Sequence, residues 1–208
     1  MGREFDPHCR RCPRLAALLD SVHGDYPDYF AAPVPPFGDS DPKLLIVGLA
    51  PGMHGANRSG RPFTGDYAGI LLFETLFQLG VASCAQSVSA DDGLRLTGVR
   101  ITNAVKCLPP QNRPTTAEIK CCNLFLRQEI SHLPSGCNIF ALGVIAHQAV
   151  VRCYGLPLAQ FTFTHGGRHT LSDGRQLIDS YHCSRYNTQT KRLTKESFID
   201  LLSMALEL

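Results

Sequence analysis

The chain has 208 residues, 44% hydrophobic and 18% charged, which suits one globular unit with a real core and is cramped for two full domains. A formal net charge of +2, from 20 basic and 18 acidic residues, excludes a strong overall field, so an acidic partner must be met by local clusters. No apolar run approaches the roughly 20 residues of a membrane span, and the start MGREFDPHCRRC holds no apolar signal segment, so the expected location is cytoplasmic.

In chain order, Cys9 to Leu19 reads as a short helix beginning near a CRRC turn. DYPDYFAAPVPPFGDSDP, rich in proline and aromatic residues, reads as an irregular surface wrap. KLLIVGLA is a buried strand of the kind found at the centre of a parallel sheet. After a long glycine-rich loop, GILLFETLFQLGV has helical periodicity and stops at Gly80. VRITNAVKC is a second strand, and TTAEIKCCNLFLRQEISHL a helix with Thr115 or Thr116 as its N-cap. CNIFALG is a third strand followed by the helix VIAHQAVVRCYG. QFTFTHG reads as a further extended piece, QLIDSYHCS as a strand running into a loop, and TKESFIDLLSMALEL as a closing amphipathic helix. Alternating strands and helices predict an α/β domain with a mostly parallel sheet covered on both faces. In such folds ligands lie beyond the carboxyl ends of the strands, where GLAPG, TNAVKC and YHCSRYN would converge. Neither an internal repeat nor a linker divides the chain, so a single domain over 1–208 is expected.

The loop GLAPGMHGANRSGRPFTGD, residues 48–66, matches neither GxxxxGK[ST] nor GxGxxG, so the specific nucleotide fingerprints are absent. Its five glycines still allow backbone to approach an anion or a planar ring closely. Phe63 suits either stacking on a base or plugging the loop onto the core. Asp66 suits either an N-cap for the next helix or a carboxylate that orients water.

Nine cysteines are many for a chain of this class. Without a secretion signal, metal binding or catalysis is the better expectation than a disulfide framework. Cys9 and Cys12 share one turn, and KCLPPQNRPTTAEIKCC carries Cys107 with Cys121 and Cys122, a credible four-cysteine site that suits zinc or an iron–sulfur cluster. Cys84, Cys137 and Cys153 read as inert fillers. The last loop, YHCSRYNTQTKRLT, adds His182 with Ser184, Arg185, Asn187, Lys191 and Arg192, a set suited to phosphate contacts and one hydrogen bond to a substrate oxygen. No GxSxG elbow accompanies Ser184, which weakens a serine-hydrolase reading.

Taken in order, GLAPGMHGANRSGRPFTGD, ITNAVKCLPPQNRPT and YHCSRYNTQTKRLT resemble the uracil-DNA glycosylase superfamily, and most closely its iron–sulfur type B branch, family five. The resemblance runs from about Cys9 to Thr194. Leu49 stands where the type A branch has glutamate. The resemblance implies an α/β/α sandwich around a four-stranded, mainly parallel sheet. It also implies a structural [4Fe–4S] cluster on Cys9, Cys12, Cys107 and Cys122, with Cys121 an unusual neighbour.

The activity implied is hydrolysis of the bond joining a deaminated base to deoxyribose, after the base is drawn out of the DNA stack. Asp66 would orient water and face the oxocarbenium ion, His182 would stabilise the leaving base, and Asn103 would read its edge. Gly48, Leu49, Ala50, Pro51 and Gly52 would wall the pocket with Phe63 stacked on the ring, Ser184 and Arg185 would touch phosphate or enter the gap left by the base, and Asn187 would complete the substrate-binding set. Ala50 replaces a polar catalytic group of other branches and fits a roomier pocket that also admits hypoxanthine or xanthine. Cys183 replaces a proline and Met53 an alanine common among relatives. The alternatives are a non-catalytic iron–sulfur or zinc module that binds nucleic acid, and a small hydrolase using Asp66 and His182. No heptad seam is present, so a monomer is expected.

Overall fold

The computed structural model describes residues 5–207. Where the chain is apolar at nearly every position it forms strands buried on both faces: β2 (Leu44–Gly48) and β4 (Asn138–Leu142) are buried at all five positions. Beside them lie β3 (Val99–Asn103) and β6 (Gln176–Ser180), all four parallel, in the order β3-β2-β4-β6. These are the four strands expected from the sequence. Two short antiparallel edges make the sheet six-stranded: β1 (Phe37–Gly38) on β3 and β5 (Arg168–Thr170) on β6.

The helices complete three layers. Leu45, Val47, Ile139 and Ala141 face α1 (Pro13–Asp25), α4 (Thr116–Ser131) and α5 (Val144–Cys153), while Leu44, Ile46, Phe140 and Leu142 face α3 (Tyr67–Gln78) and α7 (Lys195–Leu206). Successive strand residues point to opposite faces, which is why one apolar run serves both cores. Two short helices, α2 (Ala56–Ser59) and α6 (Arg185–Gln189), interrupt the loops after β2 and β6. Leu208, the last residue of the predicted closing helix, lies outside the described residues.

Local rules explain several boundaries. Thr115 caps α4 with a capping box, accepting the Glu118 amide at 3.2 Å while Glu118 accepts the Thr115 amide at 2.7 Å. Glu118 also receives two bonds from Arg14, at 2.8 and 2.7 Å, which ties the start of α1 to the start of α4. QFTFTHG, expected as an extended piece, forms no strand of its own: a 3₁₀ turn covers Leu158–Gln160, residues 161–167 are irregular, and β5 begins just beyond. Its alternation of apolar and polar residues survives, with Phe161 and Phe163 half-buried between exposed threonines, in a segment held to β6 by side-chain bonds and by two backbone bonds at Asp179. The proline-rich segment expected to be irregular contributes the two-residue β1.

Beneath the sheet's carboxyl edge lies a charge network. Lys106, 2% exposed, reaches Glu129 at 3.1 Å and also contacts the Thr102 hydroxyl. Arg100 and Thr102 complete the carboxylate's partners at 3.0 and 2.9 Å. Together these partners hold the Glu129 carboxyl below its ordinary range despite burial.

Candidate active site

Parallel register brings the strand ends level: Gly48 pairs with Asn103, and Leu142 with Ser180. The β2–β3 pairing continues past the strands, with the Ala104 amide on Gly48 O at 2.9 Å and the Val105 amide on Leu49 O at 3.0 Å. A cleft of about 450 Å³ opens at this edge. Of the residues expected to meet substrate, Leu49, Ala50, Gly52, Phe63, Asp66, Asn103, His182, Ser184 and Arg185 line it.

The three others expected there sit behind the wall. Gly48 backs the wall, since a methyl there would lie 2.4 Å from Asn103 Oδ1 and 2.7 Å from the Phe63 ring. Pro51 is buried outside the lining. Asn187 donates from Nδ2 to the His182 carbonyl at 2.8 Å, so it holds the loop instead of facing the cleft. Tyr67, Ala68 and Asn112 line the cleft without having been expected from the sequence. Asn112 carried a signal in the NRPT motif, and it adopts a left-handed φ of 56°, a conformation asparagine tolerates.

The glycine-rich loop is ordered around Asp66. Its side chain makes no cap to α3, although Asp66 occupies the N-cap position. It turns back instead, and Oδ2 accepts the Ala56 amide at 3.1 Å. Methyl groups on Gly52 and Gly55 would lie 2.4 and 1.9 Å from Asp66 Oδ1, so these two glycines exist to admit the carboxylate. Burial raises the Asp66 pKa, and the single amide bond only partly offsets it. Arg61, 4% exposed, pins the rest of the loop through Thr64 at 2.8 Å, Ser87 at 2.6 Å and Asp92 at 2.5 Å.

Phe63 answers both of its expected roles. It is 5% exposed and packed into the core, yet it forms a cleft wall, with its ring stacked against His182 at a centroid distance of 6.0 Å. It holds a φ of 60°, unusual for an aromatic residue, and a methyl on Gly69 would lie 1.9 Å from its carbonyl. His182 and Asn103 make no side-chain hydrogen bond among the described residues, leaving an imidazole and an amide free toward the cleft. Burial lowers the His182 pKa to about 4, so the ring is neutral at physiological pH and offers one N–H. Arg185 lies over the Tyr67 ring at 4.8 Å on the cleft lip, and Ser184 starts α6 by accepting the Asn187 amide at 3.5 Å.

A second pocket gathers cysteines. Cys9, Cys12, Cys107, Cys121 and Cys122 all line it, brought together by the Arg14–Glu118 tie between α1 and α4. Cys122 is buried and accepts the Lys106 amide at 3.3 Å; Cys121 is half-buried and adjoins Cys12. Burial and then the neighbouring sulfurs push the Cys107 thiol up, and Cys12 is pushed up to about 12 for the same reasons. Soft, crowded sulfurs of this kind become thiolates when a cationic metal centre holds them, so the donor set fits such a group. Cys84, Cys137 and Cys153 lie elsewhere, with Cys137 buried in the core.

The arrangement is that of an α/β fold with a polar, aromatic-walled cleft at the carboxyl end of its sheet, where such folds bind ligands. Comparison with known proteins narrows that class. Residues 35–205 match the uracil DNA glycosylase superfamily. The chain is 46% identical over 202 residues to the type-5 uracil-DNA glycosylase of Thermus thermophilus, covering 95% of this chain and 92% of that protein. It is 41% identical to the type-5 enzyme of Pyrobaculum aerophilum over 95% and 88% of the two chains, and 40% identical to that of Mycobacterium leprae over 96% and 91%. The chain belongs to the uracil-DNA glycosylase superfamily. No helix among the described residues is long and apolar enough to cross a membrane.

Proposed function

We propose that the cleft at the sheet's carboxyl edge hydrolyses the N-glycosidic bond of uracil in DNA, leaving an abasic site. One observation carries this reading: a half-buried carboxylate, a neutral imidazole, an unpaired amide and an aromatic ring face one cleft. Bond breaking sends the electron pair to the base and leaves positive charge on the sugar. His182, neutral and with an N–H to give, hydrogen-bonds the base oxygen as negative charge develops there. Asn103 offers its amide to the base edge, and Phe63 lies against the ring face. Asp66 faces the cationic sugar and holds a water whose oxygen bonds to C1′ while its proton passes to the carboxylate. Burial, which raises the Asp66 pKa, makes it a better proton acceptor at the same time.

The small apolar side chain at Ala50, where a bulky polar one would narrow the cleft, favours tolerance of deaminated purines such as hypoxanthine and xanthine. Cys9, Cys12, Cys107 and Cys122 would hold a [4Fe–4S] cluster, whose contribution is to brace α1, α4 and the end of β3 behind Asn103. DNA is the partner of the cleft, Ser184 and Arg185 at its lip serve the strand, and the protein works as a cytoplasmic monomer.

The test is alkaline cleavage of duplexes that each carry one uracil, hypoxanthine or xanthine. Strand scission at uracil is expected for the wild type. Asp66→Ala and His182→Ala should each lose about 10²–10³-fold, the scale of removing one charge-stabilising group. An Asp66→Ala protein with full activity would show that the carboxylate serves only the loop.

A further inference from the structure

Outside the cleft, residues 161–167 form a bracket behind the strand that delivers His182. Asp179, fully buried on β6, accepts His147 Nδ1 at 2.7 Å, His169 Nε2 at 3.1 Å and the Thr164 amide at 3.3 Å. His147, also fully buried, gives its other nitrogen to the Phe161 carbonyl at 2.8 Å. Both of its nitrogens face acceptors, so the ring is a double donor that clasps β6 and the bracket together. The backbone adds two rungs, Gly166 N–H to Asp179 O at 2.8 Å and Asp179 N–H to Gly167 O at 2.9 Å.

The β4–β6 ladder ends at Ser180, whose carbonyl accepts the Gly143 amide at 2.8 Å. The next amide, Tyr181 N–H, lies beyond the parallel pairing and immediately before His182. His165 Nδ1 accepts it at 3.1 Å, standing in for a backbone carbonyl. The same imidazole stacks on the Tyr181 ring, with centroids 4.6 Å apart and planes 12° from parallel. On the other side, Asn187 holds the His182 carbonyl at 2.8 Å. The backbone of His182 is thus gripped from before and after.

We propose that His165 is a positioning residue for His182, setting the direction in which the chain leaves the sheet and so the aim of the imidazole into the cleft. The proposal rests on the assignment of His182 to the leaving base. Acceptance of the Tyr181 amide requires a bare Nδ1, which places the ring hydrogen on Nε2. His165→Phe keeps a ring for stacking and removes the acceptor. His165→Asn removes the ring and offers Oδ1 close to where Nδ1 stood.

Both variants are measured by single-turnover excision, by kcat and KM on a uracil-containing duplex, and by thermal unfolding. His165→Phe should lower kcat by about 10–100-fold with KM unchanged, the scale of a misplacement near 1 Å, and His165→Asn should recover most of it. Wild-type kcat in His165→Phe, equal losses in the two variants, or failure of His165→Phe to fold would each overturn the positioning role. The last outcome would mean that the bond holds the fold and does not merely aim one side chain. If His182→Ala is inactive while His165→Phe is fully active, only the positioning role falls; if His182→Ala is active, the assignment beneath it falls first.

Discussion

Gly55→Ala isolates what the glycine-rich loop is for. The added methyl would sit 1.9 Å from Asp66 Oδ1 and 2.1 Å from its Cγ, a collision that neither atom can absorb in place. To reach even 3.0 Å from that oxygen, starting from 1.9 Å, the carboxylate must move by about 1.1 Å. That movement breaks the bond to the Ala56 amide, at about 0.5–1.5 kcal/mol of stability, a modest change for a protein of this size. Its catalytic effect is larger, because a displacement of about 1 Å at a reacting group costs on the order of 10²-fold. Gly52→Ala, whose methyl would stand 2.4 Å from the same oxygen, demands about half the movement and should cost less. Single-turnover excision from a uracil duplex measures both, with circular dichroism confirming the fold. In an Asp66→Ala background the Gly55→Ala change should cost nothing further. A wild-type rate for Gly55→Ala, or a full additional loss on top of Asp66→Ala, would show that making room for the carboxylate is not what these glycines do.

Asp66→Asn should lose activity on the same scale as Asp66→Ala yet raise Tm near neutral pH. Its folded pKa is raised by burial, so the stability it contributes is present below the ordinary carboxylate range and lost as pH rises through the raised value; the gain in Tm should therefore grow from acid to neutral pH. His182 behaves oppositely. With a folded pKa lowered from 6.5 to about 4, it contributes stability that is present above 6.5 and lost as pH falls toward 4, and His182→Gln should flatten denaturant stability across that window. The proposed [4Fe–4S] cluster predicts visible absorbance in the purified protein that serine at Cys9, Cys12, Cys107 or Cys122 should remove and Cys121→Ser should keep; loss of colour in Cys121→Ser alone would reassign the fourth ligand, and a colourless wild type would refute the cluster.

Elements whose apolar pattern spans several residues are legible in the chain itself. LLIVG and NIFAL are strands because nearly nothing in them can face water, and TTAEIKCC begins a helix because Thr115 and Glu118 satisfy each other's amides. The edges β1 and β5, of two and three residues, are too short to carry a pattern, and they pair only because β3 and β6 present open backbone beside them. Short helices such as α2 and α6 are equally silent, since one turn shows no periodicity. Tyr67 entered the cleft from a helix start that carried no chemical signal of its own, and Asn112 did so from a loop where only its motif marked it.

The layered α/β class, the order of the central elements and the three polar motifs that must meet beyond the strand ends are all written in the chain. So is the grouping of Asp66, Asn103 and His182, residues that lie far apart along it. What each of them does there follows from packing. Asp66 sits at a helix N-cap, and local propensity assigns it that work; two glycines earlier in the same loop instead leave a space that its carboxylate fills. His182 is an ordinary imidazole until burial beside Phe63 lowers its pKa to about 4 and keeps it neutral well into acid. Asn187 and His165 flank it as backbone clamps, a role no residue type announces, because a hydrogen bond to a main-chain group depends on where the chain passes and not on what it is made of.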